Sequence, residues 1–180
     1  MNWELARKVI NFAGMDVGWA ACVLGAASGR GWIGPVAVAL LAGLHFALNR
    51  GGWAEVRLLV AVAAVGFVAD SAMGLAGFYA FAGGAWLCPA WLVAMWVNLG
   101  LTLNSSLRFL AGKHALSALL GLVGGPLAYY AGARLGALDF PSGTAWALVA
   151  TGVVWAVAFP ALMMIREATM GRVSSASPDR

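Results

Sequence analysis

Six runs of about 20 predominantly apolar residues follow one another along this chain, each long enough to cross a hydrocarbon core about 30 Å thick as a helix rising 1.5 Å per residue. They fall at about 9–29, 32–49, 55–77, 88–110, 114–136 and 143–165, separated by "SGRGW", "NRGGWAE", "GGAWLCP", "AGKH" and "LDFPSG". Glycine, proline and charge punctuate every break. In lipid every backbone N–H and C=O must be paired within the protein, which leaves helices or a closed barrel. A barrel strand would alternate apolar and polar residues over about ten positions, and these runs are continuously apolar. The expectation is therefore an all-α polytopic membrane protein. It would be a compact bundle of six transmembrane helices over 9–165, with a short N-terminal segment 1–8 and a disordered tail 166–180.

The chain is 62% hydrophobic and 10% charged over 180 residues, and its net charge of +4 comes from eleven Lys and Arg scattered singly at the ends of the apolar runs. A nucleic-acid interface would cluster them on one face, so no nucleic-acid partner is expected. The cations instead set orientation. With the N-terminus inside, Arg7, Lys8, Arg50, Arg57, Arg108, Lys113, Arg166, Arg172 and Arg180 are cytoplasmic, and only Arg30 and Arg134 are outside. Both termini are then cytoplasmic. Trp32, Trp86, Trp91 and Trp146 would mark the outer interface and Trp3 and Trp53 the inner one, leaving Trp19, Trp96 and Trp155 within the slab. The first 29 residues imitate a signal peptide, but Asn11 and Asp16 interrupt the apolar stretch, so it is expected to stay as the first span. Cys22 and Cys88 lie on different segments without Cys-x-x-Cys or His/Cys spacing, so no disulfide, metal or cofactor is expected.

Glycines four apart provide surfaces where helix backbones can approach: Gly14 and Gly18, Gly121 and Gly125, Gly132 and Gly136. They would serve packing within the bundle or against other membrane subunits. Pro126 predicts a kink in the fifth helix.

The polar residues inside the spans carry the functional question. On the fourth run, "NLGLTLNSSLRFLAGK", a 100° advance per residue puts Asn98, Thr102 and Ser105 on one stripe with Trp91, Met95 and Phe109. Leu92, Trp96, Leu99, Leu103, Leu107 and Leu110 cover the other side, which would face lipid. Asn104 and Arg108 are four apart near the inner end, where Arg108 could snorkel to headgroups. Asp16 lies roughly 10 Å inside the first span, where a lone charge costs about 2.5–3.5 kcal/mol. It should therefore be paired, wet or protonated, and Asn104, Arg108 and His45 reach similar depth. Asp70 shares a face with Gly66 and Gly74 and should point into the bundle, tied to Arg134, with the hydroxyls of Tyr129 and Tyr130 nearby. The candidate ligand-binding set is thus Asp16, Asp70, Asn98, Thr102, Asn104, Ser105, Arg108, Tyr129 and Arg134. No nucleophile elbow, phosphate loop or Cys/His arrangement is present, so no catalytic set is assigned. Any acid or base would be Asp16 or Asp70.

The stretches "GWAACVLGAA", "GWIGP", "GFVADS", "LTLNSSLRFL" and "GGPLAYYAGARLGA", in order from Gly18 to Ala137, resemble the bacterial inner-membrane family DUF2878. The chain departs from that pattern at Ser105, where His is usual, and at Phe109, where Trp is usual, which weakens any mechanism needing an imidazole there. The resemblance implies a compact six-span protein of the bacterial inner membrane and no established activity. The leading expectation is a protein that binds a membrane lipid or small amphipathic ligand in a polar intramembrane cavity. A rival is suggested by size and topology, which resemble the substrate-binding subunits of energy-coupling-factor transporters, with Gly14, Gly18 and Gly25 as a docking face. An intramembrane lipid-modifying enzyme and an assembly scaffold complete the alternatives.

Overall fold

The computed structural model describes residues 3–49 and 52–171, so Arg50, Arg172 and Arg180 lie outside the described residues. Among these there are six α-helices: α1 Trp3–Ala27, α2 Ile33–Asn49, α3 Trp53–Leu75, α4 Ala90–Leu103, α5 His114–Arg134 and α6 Thr144–Met170. A 3₁₀ turn, Arg108–Leu110, follows α4. Two short strands, β1 Ala80–Phe81 and β2 Leu138–Asp139, pair antiparallel and tie the α3–α4 connection to the α5–α6 connection. The helices alternate in direction. One end, the basic end, therefore gathers the start of α1, the α2–α3 turn, the α4–α5 turn and the end of α6. The opposite end carries the strand pair.

Four helices, α1, α3, α5 and α6, are long and apolar enough to cross a membrane. As helices, α1 begins at Trp3, before the expected span start at residue 9, and α6 continues beyond residue 165 to Met170. The largest correction concerns the fourth run. A single span over 88–110 was expected, but α4 has 14 residues, about 21 Å at 1.5 Å per residue. Asn104 ends it, with its own N–H turned to Thr102 O. Side chains such as Asn and Ser offer the backbone local alternatives to the helical ladder, and Asn104, Ser105 and Ser106 stand consecutively here. Asn11 captures the break, its Oδ1 accepting from both the N–H and the hydroxyl of Ser106.

Nor does α4 have a lipid face. Leu92, Trp96, Leu99 and Leu103 are all buried, as are Trp91, Asn98 and Thr102 on the other side. It is the bundle's central helix, packed against α1, α2 and α3. A helix apolar on most of its circumference fits protein or lipid equally well, so periodicity could not separate the two.

Glycines let the bulky rings in. A Cβ at Gly66 would collide with the Trp96 indole, and Cβ atoms at Gly121 and Gly125 would collide with Trp155. Those two indoles stack with centroids 4.4 Å apart and planes 12° from parallel, joining α4 to α6 at the middle of the core. The α5 helix continues through Pro126 as one element.

Candidate functional site

Two polar clusters are built into this bundle. The first surrounds Asp70 on α3. Its Oδ2 accepts from Trp96 Nε1 at 2.6 Å and its Oδ1 from the Tyr129 hydroxyl at 2.6 Å, so both carboxylate oxygens are occupied by neutral donors from α4 and α5. Tyr129 stacks on Tyr79, centroids 5.1 Å apart, and the Tyr79 hydroxyl meets Thr151 at 2.7 Å. Beside it Ser71 Oγ accepts from the Cys88 N–H at 3.0 Å. Burial above all, and then the Asp70 charge, push the Cys88 thiol well up from its ordinary value. It stays a thiol at neutral pH and offers no nucleophile. Every member is sealed from solvent: Asp70, Tyr79, Tyr129, Thr151, Ser71 and Cys88 are all buried.

The tie expected between Asp70 and Arg134 is absent, because Arg134 sits exposed at the far end of α5 and Tyr130 is exposed as well. Two neutral hydrogen-bond donors suffice to hold a buried carboxylate, and Trp96 and Tyr129 are placed where a cation would otherwise be needed.

The second cluster lies at the basic end around a cavity of about 840 Å³, walled by Arg7, Lys8, His45, Asn49, Gly52, Glu55, Asn104, Ser105, Ser106, Arg108, Phe109 and Met170. His45 Nε2 donates to Glu55 Oε1 at 2.9 Å, both side chains being buried. Asn11 Nδ2 and Asn49 Nδ2 approach His45 Nδ1 at 3.4 and 3.3 Å. With amide donors at Nδ1, the ring proton belongs on Nε2. Asn11 also donates to Leu101 O at 3.0 Å, so one side chain of α1 fixes the end of α4 and the His45 ring together. A narrow slot of about 30 Å³ between α1 and α2, bordered by Gly14, Leu41, Leu44 and Asn98, shares Arg7, His45 and Asn49 with this cavity.

The nine expected ligand residues divide unevenly. Asn104, Ser105 and Arg108 line the basic-end cavity; Asp70 and Tyr129 form the sealed cluster. Asn98 donates to Met15 O at 2.8 Å and borders the slot. Thr102 is packed shut, its hydroxyl donating to Leu99 O at 2.6 Å, so the Asn98–Thr102–Ser105 stripe does not line one cavity. Ser105 stands beyond the end of the helix that would have aligned it. Asp16 is on the exposed face of α1. The residues that sequence reasoning did not assign are Arg7, Lys8, Asn11, His45, Asn49, Glu55, Ser106 and Arg166. Their one signal is a set of polar residues at the apolar-run ends that gather at the basic end.

Among the described residues no group of three or more His, Cys, Asp and Glu could hold a metal ion. The glycines expected to form a docking face are largely taken up within the chain: a Cβ at Gly18 would strike Asn98, and one at Gly25 would crowd Arg30 O and Ile33.

Four long apolar helices, a sealed core and a polar cavity at one end are compatible with a small helical membrane protein. Its family is plain. The family model for DUF2878, described as protein of unknown function, matches residues 8–161, and the chain belongs to that family. No curated protein and no solved structure matches it.

Proposed function

We propose that this is a multi-pass protein of the bacterial inner membrane, both termini cytoplasmic, that takes an anionic amphiphile from the inner leaflet. Its headgroup would enter the basic-end cavity and its chain would remain in the surrounding leaflet. The observation that carries this is the charge of the cavity wall: Arg7 and Arg108 against Glu55, the one carboxylate among the described lining residues, which His45 already engages. A cavity with unbalanced cations attracts anions, and low-dielectric walls strengthen the attraction. Arg7, Lys8, Arg57, Arg108, Lys113 and Arg166 stand at this end, and Arg30 and Arg134 at the other, which supports the cytoplasmic orientation. Depth supports it too, since a cavity formed by helix ends lies at headgroup level.

Native mass spectrometry of the detergent-purified protein, offered phosphatidylglycerol and phosphatidylcholine with the same acyl chains, tests this. Wild type should retain phosphatidylglycerol preferentially, and an Arg7→Gln/Arg108→Gln protein should retain the two alike. Equal retention by wild type would refute the assignment.

A further inference from the structure

The wall of the basic-end cavity divides by what its hydrogen-bonding atoms have left to offer. Where α2 meets α3, His45 Nε2 donates to Glu55 Oε1 at 2.9 Å, which leaves Glu55 Oε2 over. Asn49 commits its amide to His45, Nδ2 lying 3.0 Å from the backbone O and 3.3 Å from ring Nδ1. Among the described residues neither Glu55 Oε2 nor Asn49 Oδ1 accepts a hydrogen bond, and both residues line the cavity. The imidazole cannot supply a donor, because its one ring proton is already given to Glu55. This side of the cavity is left with acceptors.

The turn between α4 and α5 has the opposite balance. Asn104 Oδ1 accepts from Arg166 Nη2 at 2.9 Å, leaving the Nδ2 hydrogens of Asn104 over. The Ser105 hydroxyl and the Arg108 guanidinium, also on the wall, make no hydrogen bond or ion pair among the described residues, and the same holds for Arg7 on α1. A guanidinium is a donor only, and its planar fork matches the oxygens of a phosphate. Asn11 shows how close the two sides lie. Its Oδ1 accepts from the Ser106 hydroxyl at 2.8 Å while its Nδ2 stands 3.4 Å from His45 Nδ1. One short side chain reaches from one side to the other, so a headgroup only a few bonds long can do the same.

We propose that the headgroup received here is a phosphodiester whose alcohol carries free hydroxyls, phosphoglycerol being the smallest, with the phosphate at Arg7, Arg108 and Asn104 and the hydroxyls at Glu55 and Asn49. The inference rests on the amphiphile-binding function above and names the part of the headgroup which that function leaves open. A hydroxyl donates to Glu55 and Asn49 without adding charge. An ammonium would bring a further cation into a cavity that already holds Arg7 and Arg108. A simple alkyl ester gives the acceptor side nothing, since it displaces water from Glu55 and Asn49 and returns no hydrogen bond. Sites built to bond a hydroxyl reject analogues without one for this reason.

The experiment offers phosphatidylglycerol, phosphatidylethanol, phosphatidylethanolamine and phosphatidylcholine of identical chains to the full-length protein in detergent and compares retention by native mass spectrometry. The first two are phosphodiesters of equal charge, and only phosphatidylglycerol has headgroup hydroxyls. Wild type should keep phosphatidylglycerol about tenfold over phosphatidylethanol, a difference of about 1.4 kcal/mol. Glu55→Gln can still accept from His45 but sets an amide donor where the free carboxylate oxygen stood. It should bring that ratio to about one while both lipids still exceed phosphatidylcholine. Asn49→Ala, at a half-buried position, provides a second route that leaves Glu55 in place and should lower the ratio to about threefold, half of that free energy. Wild type that holds phosphatidylglycerol and phosphatidylethanol alike, each above phosphatidylcholine, overturns the hydroxyl subsite and leaves anionic-lipid binding standing. If neither exceeds phosphatidylcholine, both fail. Phosphatidylethanolamine kept as well as phosphatidylglycerol would assign the acceptor side to an ammonium and overturn the hydroxyls. A tenfold ratio that persists in both Glu55→Gln and Asn49→Ala also overturns the subsite. Glycerophosphoglycerol at the lipid's own concentration, with the same headgroup and no chains, should leave phosphatidylglycerol bound; displacement would overturn the lipid as the source of the headgroup.

Discussion

The Asp70 cluster and the basic-end cavity are both polar and both held by α4, yet one is complete and the other is not. At Asp70 each carboxylate oxygen meets a donor at 2.6 Å from the chain's own Trp96 or Tyr129. At the basic end Arg7 and Arg108 line the cavity with no hydrogen bond or ion pair among the described residues, and the free oxygens of Glu55 and Asn49 accept none. The difference separates two uses of buried polarity. A closed network specifies how helices pack, because every member would lose its partner if the bundle shifted. An incomplete one is held in place by its surroundings and needs a partner from elsewhere.

That contrast breaks most visibly at Asp70. Replacing it with leucine strands the Trp96 N–H and the Tyr129 hydroxyl, and at about 1–3 kcal/mol for each unsatisfied donor the cost should be about 2–6 kcal/mol. A fall in the melting temperature of the detergent-solubilised protein would show it, and an unchanged melting temperature would mean that the network is not structural. Gly66→Ala comes next. Its Cβ would meet the Trp96 indole, and overpacking of this kind costs about 1–3 kcal/mol; a circular-dichroism melt reads it directly. At the basic end the expectation reverses: Arg7→Gln/Arg108→Gln should alter stability by no more than about 0.5 kcal/mol while removing anionic-lipid retention. Asp16→Leu acts with the opposite sign. Asp16 lies on the exposed side of α1, where an unpaired charge costs about 2.5–3.5 kcal/mol in a membrane. The substitution should not lower the melting temperature, whereas a loss of stability would reveal a partner for this carboxylate.

Much of the scaffold was legible because membrane-type helices announce themselves by apolar length, as α1, α3, α5 and α6 do. Where the rule was applied to 88–110 it failed, since α4 is short and central and its leucines touch protein on every side. Asp70 was legible as an inward residue through the glycines beside it. Its partners were not, because opposite charge suggested Arg134 while two neutral donors from α4 and α5 had the geometry. The basic-end cavity was half legible. Asn104 and Arg108 could be placed at the inner end of the fourth run. The contacts of Asn11 with Leu101 and Ser106 join residues 90 and 95 positions apart. Such pairings depend on how the helices assemble, and no local pattern encodes them.

The division between a structural cluster and a binding cavity is tested most directly by one thermal series, since a ligand that binds only the folded protein raises its melting temperature. The melting temperature would be measured with and without phosphatidylglycerol for wild type, Asp70→Asn and Arg7→Gln/Arg108→Gln. Asp70→Asn should melt lower than wild type and still be raised by the lipid. The double arginine variant should melt close to wild type and be raised no more than phosphatidylcholine raises it. If the lipid response disappears with Asp70 and survives the loss of both arginines, the two clusters have been assigned the wrong way round.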